Sequence, residues 1–353
     1  MALRRVQVAD FRCLQPIEIE LDPHFTLISG PNASGKTSLL EAIYVLGRGR
    51  SFRTRRLEHL IRQGSGRFTV FGEVEMSERR VAIGIEGSAA GVRARLGGAN
   101  ASSLAELATV LPVQIIDPEV HRLIEEGPNR RRRFLDWGVF HVEHGFLDQW
   151  QRYQKALKQR NASLRSRQPK TLASAWDGEL LRVGEMLSAA RIRYVQTLEP
   201  VAAALVSQLL GQELTLGYRL GWPKDSTFAE ALRLSWLQDQ ESGTSVGPHR
   251  ADLTIRLDGV SVKDRVSRGQ QKLLAAALLM AQLKLFPEDA PVRPSLLLDD
   301  PGAELDQRHL GALIEEIRSE AVQLLVTTLQ DEFSAFGTPG RCFKIDAGKV
   351  ELV

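Results

Sequence analysis

Two cysteines in 353 residues, Cys13 and Cys342, are too few and too far apart for a disulfide framework, and no C-x-x-C or His/Cys spacing offers a metal site. Two unpaired thiols fit a reducing cytoplasm, and both are read as small core residues. No apolar run approaches the roughly 20 residues that span a bilayer, so no segment is expected to cross a membrane. Met1 to Arg5 leads into Val6-Gln7-Val8-Ala9-Asp10, an alternating strand pattern and not the apolar core of a signal peptide. Internal repeats and low-complexity tracts are absent, and no heptad pattern runs long enough for an extended coiled coil. Excess charge is scarce too. A net +3 does not establish a nucleic-acid partner, so where the arginines cluster matters more than their sum. What remains is an ordinary globular composition, 43% hydrophobic and 25% charged, long enough for one large domain or two.

Against that plain background one stretch stands out. Gly30-Pro31-Asn32-Ala33-Ser34-Gly35-Lys36-Thr37 matches G-x-x-x-x-G-K-[ST] at every required position. The apolar run Phe25 to Ser29 precedes it, and Ser38 to Leu46 follows with apolar residues at helical spacing. Strand, glycine loop and helix together make a phosphate site: the glycines let backbone N–H groups converge on an anion, and the helix N-terminus adds partial positive charge. Lys36 is expected to reach the β and γ phosphates, and Thr37 to offer its hydroxyl to Mg²⁺. The chain is expected to bind a nucleoside triphosphate.

The rest of the chain changes texture several times. Residues 3–9 and 15–21 read as strands, and residues 67–96 alternate with period two between Gly-rich turns, which predicts an antiparallel meander. Leu111 to Asp117 has the style of a buried strand. Residues 119 to about 240 read as helical almost throughout, with one helix over 180–198 and another over 201–210 divided by Pro200. Strand texture returns at Leu253 to Leu257, with Asp258-Gly259 as a hairpin signal, and is followed by a helix from Gln270 to Leu285. A strand at 295–298, a helix over 306–318, a strand at 322–328 and a closing hairpin complete the pattern.

Ser295 to Leu298 ends in Asp299-Asp300, as a buried parallel strand does when its tip faces a metal–phosphate site. Asp299 is expected to hold Mg²⁺, and Asp300 to orient or activate the attacking water. The long separation of Lys36 from Asp299 implies a nucleotide-binding head interrupted by an insertion. Between them Ser267-Arg268-Gly269-Gln270 opens an apolar helix; alone, Ser as N-cap and Gly for a turn would explain it.

Taken in order, the phosphate loop, Gln114 at a strand end, S-x-G-Q, the Asp pair and Glu304-Leu305-Asp306 resemble the ABC-type ATPases. Val8-Ala9-Asp10-Phe11-Arg12 and the phosphate loop itself are similar to the SMC and DNA-repair branch. Pro112-Val113-Gln114 with Asp117-Pro118-Glu119, Arg131 to Trp137, Lys158 to Asn161, and Gly247 to Asp252 are similar specifically to the RecF family of bacterial recombination mediators, and the likeness runs end to end. The resemblance implies an α/β ABC-type ATPase head (a mixed sheet around the phosphate loop plus an antiparallel β subdomain) over residues 1–118 and 245–353, with an inserted helical subdomain over 119–244. It implies an ATP site made by residues 30–38, Ser38 included, with Arg12, and a catalytic set of Lys36, Gln114 and Asp300 around Mg²⁺ held by Thr37, Asp299 and Gln114. It further implies that Ser267, Gly269 and Gln270 act in trans across an ATP-dependent homodimer lined by Glu304 and Asp306. Thr328 stands where ABC transporters carry a His, as a substitute γ-phosphate sensor. Asp300 stands where many relatives have Glu, a shorter reach that implies slow, switch-like hydrolysis.

Three basic groups could meet DNA phosphates: Arg48, Arg50, Arg53, Arg55 and Arg56; Arg130 to Arg133; and Lys155, Lys158, Arg160, Arg165 and Arg167. The first is favoured, and some of the second are expected to face acidic residues within the fold. The family likeness implies gapped or double-stranded DNA, work with RecO and RecR in loading RecA, and a cytoplasmic, nucleoid-associated protein active in DNA repair, replication, recombination and the SOS response. Two other readings stand beside it. One is an SMC-like structural clamp, which the lack of long heptads disfavours. The other is the nucleotide-binding subunit of a membrane transporter, disfavoured by the Phe11-Arg12 preface and the missing His.

Overall fold

A computed structural model describes residues 2–76, 79–166, 170–263, 266–303, 307–320, 322–329 and 334–353. The chain begins with β1 (Ala2–Ala9), β2 (Ile17–Glu20) and β3 (Phe25–Ser29), then helix α1 (Lys36–Arg48). Next come β4 (Arg67–Glu75), β5 (Arg80–Ser88), β6 (Gly91–Leu96), β7 (Ala99–Asn100), the short α2 (Leu107–Val110) and β8 (Val113–Ile116). A second compact unit, residues 121–287, then interrupts the first. It holds α3 (Arg122–Glu125), α4 (Pro128–Val142), α5 (Phe146–Arg165), α6 (Lys170–Ser174) and α7 (Asp177–Leu210), then β9 (Leu214–Arg219), α8 (Phe228–Leu234), α9 (Trp236–Ser242), β10 (Asp252–Leu257), β11 (Val260–Ser261) and α10 (Arg268–Lys284). The first unit resumes with β12 (Ser295–Leu298), α11 (Gln307–Ser319), β13 (Gln323–Thr328), β14 (Arg341–Asp346) and β15 (Lys349–Leu352).

The first unit contains two six-stranded sheets. One, in the order β2-β1-β4-β5-β6-β7, is antiparallel, and the alternating burial of β4 and β5 shows one face on the core and one toward water. The other runs β15-β14-β3-β13-β12-β8 and is parallel except for β15. Every residue of β3, β8, β12 and β13 is buried, which is why these strands read as continuous apolar runs. Gln323, with no exposed surface, joins the two sheets. It accepts the Leu3 N–H at 2.9 Å, and its amide donates to the carbonyls of Leu3 and Asp22, each at 2.8 Å. The register of β1 on β4 slips between Leu3 and Arg5, where these bonds are made.

The second unit differs from the sequence reading in three ways. Pro200 does not divide two helices: α7 runs 34 residues through it. A proline inside a helix costs about 3 kcal/mol, but the buried face passes on both sides of it, through Tyr194, Val195 and Leu198 to Ala202, Leu205 and Val206. Residues 214–219 are a strand, because β9 pairs with β10 from Leu214↔Leu257 to Arg219↔Asp252. The segment 245–287 lies in this unit and not with the first, since β10 takes its partners from β9 and β11, and α10 is packed against α7.

Several arginines that looked available to DNA are tied within the fold, and two of them, Arg131 and Arg160, are buried. Arg131, 2% exposed, forks onto Asp252 at 2.8 and 3.0 Å. Arg132 donates to the Ala251 carbonyl at 2.6 Å, and Arg130 pairs with Glu126 at 2.9 Å. Arg160 is fully buried between Asp177 and Asp239 at 2.8 and 2.7 Å. Lys155, Lys158 and Arg165 stay exposed, while Arg167 lies outside the described residues.

His249 belongs to the same buried network. Its Nε2 donates to the Thr244 carbonyl at 2.9 Å, and its Nδ1 accepts from the Tyr153 hydroxyl at 2.7 Å. Burial pushes the imidazole down to about 4. A depressed His is neutral in the fold, so its contribution is complete above the unfolded value near 6.5 and is lost as pH falls toward 4. We expect unfolding free energy to drop between pH 7 and pH 5 by about 2 kcal/mol more in the wild type than in His249→Gln. Urea titrations of both proteins at the two pH values check this, and equal drops would remove His249 as the cause.

Candidate nucleotide-binding site

The loop after β3 is shaped by backbone requirements that its residues meet. Gly30 has φ 153°, its N–H donates to the Thr328 carbonyl at 3.2 Å, and a Cβ there would lie 2.2 Å from the Ile345 carbonyl oxygen. Gly35 caps α1 in the left-handed region at φ 118°, where a Cβ would meet Leu14 at 2.9 Å. No acidic residue sits in the first turn of α1, so its positive end is left for an anion. Lys36, 4% exposed, donates from Nζ to the Gly30 and Pro31 carbonyls at 2.7 and 3.1 Å and lies 3.8 Å from Asp300. The Ser34 hydroxyl is buried and has no partner among the described residues, a donor held ready for a ligand.

The tips of β12 and β13 bring the carboxylates to this loop. The Thr37 hydroxyl lies 3.0 and 2.9 Å from the two oxygens of Asp299, which also accepts from the Thr327 hydroxyl at 2.8 Å. Thr327 in turn accepts the Asp300 N–H at 3.0 Å, which helps hold Asp300 at φ 47°. Burial pushes the Asp299 carboxyl up and neighbouring Asp300 adds to this, while the threonine hydrogen bonds and Arg53 oppose it. Two hard oxygen ligands, Thr37 and Asp299, side by side at the foot of the loop are the donor set that suits Mg²⁺.

Above them lies a cavity of about 920 Å³, of a size that takes a nucleotide. The phosphate loop forms its floor, Asp300 one edge, and Arg12, Cys13, Arg53 and Arg62 other parts of its wall. Lys36, Thr37, Asn32, Ala33, Ser34, Ser38, Asp300 and Arg12 are thus brought together as expected, with Asp299 bonded beneath them through Thr37.

Other expectations fall differently. Gln114 stands inside β8 opposite Leu296, three positions below the level of Asp299. At about 3.3 Å per strand residue that is roughly 10 Å short of the tip, and Gln114 does not line the cavity. The residue that follows β8 level with Asp299 is Asp117, since Asp299 N–H donates to the Ile116 carbonyl at 3.0 Å. Cys13 is not a core residue: it is exposed, lines the cavity, and puts its Sγ 3.6 Å from Ser38 Oγ, because the bend after β1 turns it toward the loop. Cys342 is half-buried. The favoured basic group divides, with Arg48 over the Tyr44 ring at 5.6 Å, Arg53 in the cavity wall, and Arg50, Arg55 and Arg56 exposed. Thr328 ends β13 beside Ser29, buried. In the second unit Ser267 and Gln270 close a reciprocal capping box at the start of α10, and Gly269 is exposed with open space where a Cβ would stand. Glu304 and Asp306 lie outside the described residues. Sequence reasoning missed Thr327, Arg62 and Glu41. Only Glu41 carried a signal, as the lone acid in an apolar helix just past the phosphate loop.

The family model for the RecF/RecN/SMC N terminal domain matches residues 2–346. DNA replication and repair protein RecF of Pseudomonas putida strain W619 is 41% identical over 360 residues, covering 99% of this chain and 98% of that one. The chain belongs to the RecF family. The RecF of Yersinia enterocolitica is 38% identical and covers 100% of this chain and 99% of its own. Among solved structures, the recombination mediator protein RecF with ATP, of the RecFOR pathway, superposes with a TM-score of 0.89 at 26% identity, covering 100% of this chain and 97% of that chain. An Smc head bound to the C-winged helix domain of ScpA, at 18% identity and a TM-score of 0.59, shares the fold. The fold of this RecF-family chain is therefore that of an ABC-type ATPase head of the RecF and SMC kind.

Gly30→Ala tests the loop geometry. Its Cβ meets a backbone oxygen that cannot swing aside, so we expect a stability loss of about 1–3 kcal/mol together with loss of ATP binding. Thermal unfolding and an ATP titration check both, and unchanged ATP affinity would show that the loop tolerates the shift.

Proposed function

We propose that this chain is an ATP-driven switch of DNA replication and repair. ATP lies along the phosphate loop, its β and γ phosphates on Lys36 and the N-terminus of α1. Mg²⁺ held by Thr37 and Asp299 supplies charge neutralisation at those phosphates. Asp300 orients the attacking water and accepts its proton; a carboxylate one methylene shorter than Glu suits slow turnover. The observation that carries the reading is the meeting, at the foot of one cavity, of Lys36 and Thr37 from one end of the chain with Asp300 on the cavity edge and Asp299 bonded beneath through Thr37.

Two copies close face to face, each presenting Ser267 and Gly269 to the nucleotide of the other. In support, Gly269 is exposed and no described neighbour lies where a Cβ would stand, so packing among the described residues does not require a glycine there. The closed dimer holds double-stranded or gapped DNA, with Arg50, Arg55 and Arg56 on phosphates, and hydrolysis releases it. The ATP-bound relative belongs to the RecFOR pathway, which supports RecO and RecR as partners in loading RecA. The setting is the cytoplasm at the nucleoid.

Sedimentation with and without ATP-Mg²⁺, repeated with a DNA duplex at two salt concentrations, tests this. Ser267→Arg should bind ATP as a monomer and fail to dimerise; ATP-dependent dimers of that variant would refute the trans assignment. Asp300→Asn should keep ATP affinity, accumulate the dimer, and lose hydrolysis by about 100-fold or more. Normal turnover would place the base elsewhere.

A further inference from the structure

Glu41 has no exposed surface and lies in a helix whose neighbouring residues, Leu39, Leu40, Ala42 and Ile43, are apolar and equally buried. A carboxylate in such a place is costly unless its oxygens are used, and here they are. Arg12 forks onto it, Nε to Oε2 at 2.8 Å and Nη2 to Oε1 at 2.7 Å. Ser51 donates its hydroxyl to Oε1 at 2.5 Å, and Arg53 Nη1 approaches Oε2 at 3.4 Å. The Ser51 oxygen then accepts the backbone N–H groups of Arg53 and Thr54 at 2.9 and 3.0 Å, so the loop after α1 is tied to the same point.

The two arginines reach Glu41 from different parts of the chain. Arg12 comes from the bend after β1, with its backbone in the left-handed region at φ 54° and its N–H on the Leu60 carbonyl at 2.8 Å. Arg53 comes from the loop after α1. Both line the nucleotide cavity together with Lys36. The fork uses one edge of the Arg12 guanidinium and leaves Nη1 for another partner. One carboxylate against two guanidinium groups leaves this part of the wall net positive, so Glu41 holds the cations without cancelling them.

We propose that Glu41 is a positioning residue of the nucleotide site: it fixes Arg12 and Arg53 on the cavity wall so that a polyphosphate meets cations already in place. Ordering two long side chains in advance removes that entropy loss from the binding step, which is how a group without ligand contact raises affinity. The inference rests on reading the cavity as the ATP site.

The test compares ATP and AMP binding, each with Mg²⁺, to the full chain and to Glu41→Gln, which keeps the size of the side chain but offers one acceptor where the fork needs two. We expect ATP affinity to fall by about tenfold or more while AMP affinity changes little, because the loss lies in polyphosphate contacts. In an Arg12→Ala/Arg53→Ala background, adding Glu41→Gln should cost nothing further. Equal losses for ATP and AMP, an undiminished effect in that background, or wild-type ATP affinity would each overturn the proposal. Should Glu41→Gln fail to fold, Arg12→Lys keeps the charge without the fork, and the same ATP-selective loss is required of it. Failure of the wild type to bind ATP would instead bring down the reading of the cavity itself.

Discussion

Everything at the nucleotide site depends on the parallel registration of three strands, β3, β13 and β12, the first of which lies hundreds of positions from the other two in the chain. Neighbouring strands sit about 4.8 Å apart, so the tip of β12 is roughly 10 Å from that of β3. The strand between them closes the gap: Thr327 on β13 donates to Asp299 on one side, and Thr328 next to it accepts the Gly30 N–H on the other. A slip of one residue in either pairing would turn Asp299 to the opposite face of the sheet and separate it from Thr37. Burial of these strands on both faces, and of Gln323 at the start of β13, secures that register.

Arginine serves three purposes in this molecule, and depth separates them better than local charge density. Arg131, Arg160 and Arg191 are buried against Asp252, Asp177 with Asp239, and Asp136, where each carboxylate keeps a desolvated cation from being left alone. Arg12 is partly buried, Arg53 is more exposed, and the two share one buried carboxylate at the wall of a cavity. Arg50, Arg55 and Arg56 stand in water. Depth therefore sorts arginines that look alike in the sequence, and Arg50, Arg55 and Arg56, like the exposed Lys155, Lys158 and Arg165, resemble a surface that nucleic acid could neutralise.

The parts of the site that could be read from sequence are those fixed by backbone demands within a few residues. The spacing of Gly30, Gly35, Lys36 and Thr37 survives because Gly30 and Gly35 have no room for a side chain, and the Asp pair survives because a doubly buried strand must end in something polar at its tip. What depends on distant partners was not visible. Nothing local tells that Gln114 sits too deep in its strand, that Cys13 faces a cavity, or that Leu214 to Arg219 finds a strand partner at Asp252 to Leu257. Pro200 misled for the same reason: the rule that proline breaks helices is local, and the apolar face continuing past it outweighs the local cost. The boundary at residue 245 failed because strand texture does not say which body a strand joins.

The strand order carries a consequence for the order in which the protein can assemble. Both neighbours of β3 are β13 and β14, so neither exists until the chain has been made beyond residue 322. During synthesis the phosphate loop therefore emerges early on a strand with nothing to pair with, while residues 121–287 already contain all the partners of their own sheet and helices. The inserted unit can form its core on the ribosome; the nucleotide cavity cannot. A chain broken off before β13 lacks the support of its phosphate loop and is left with an unsatisfied apolar strand, the kind of surface that chaperones and proteases recognise.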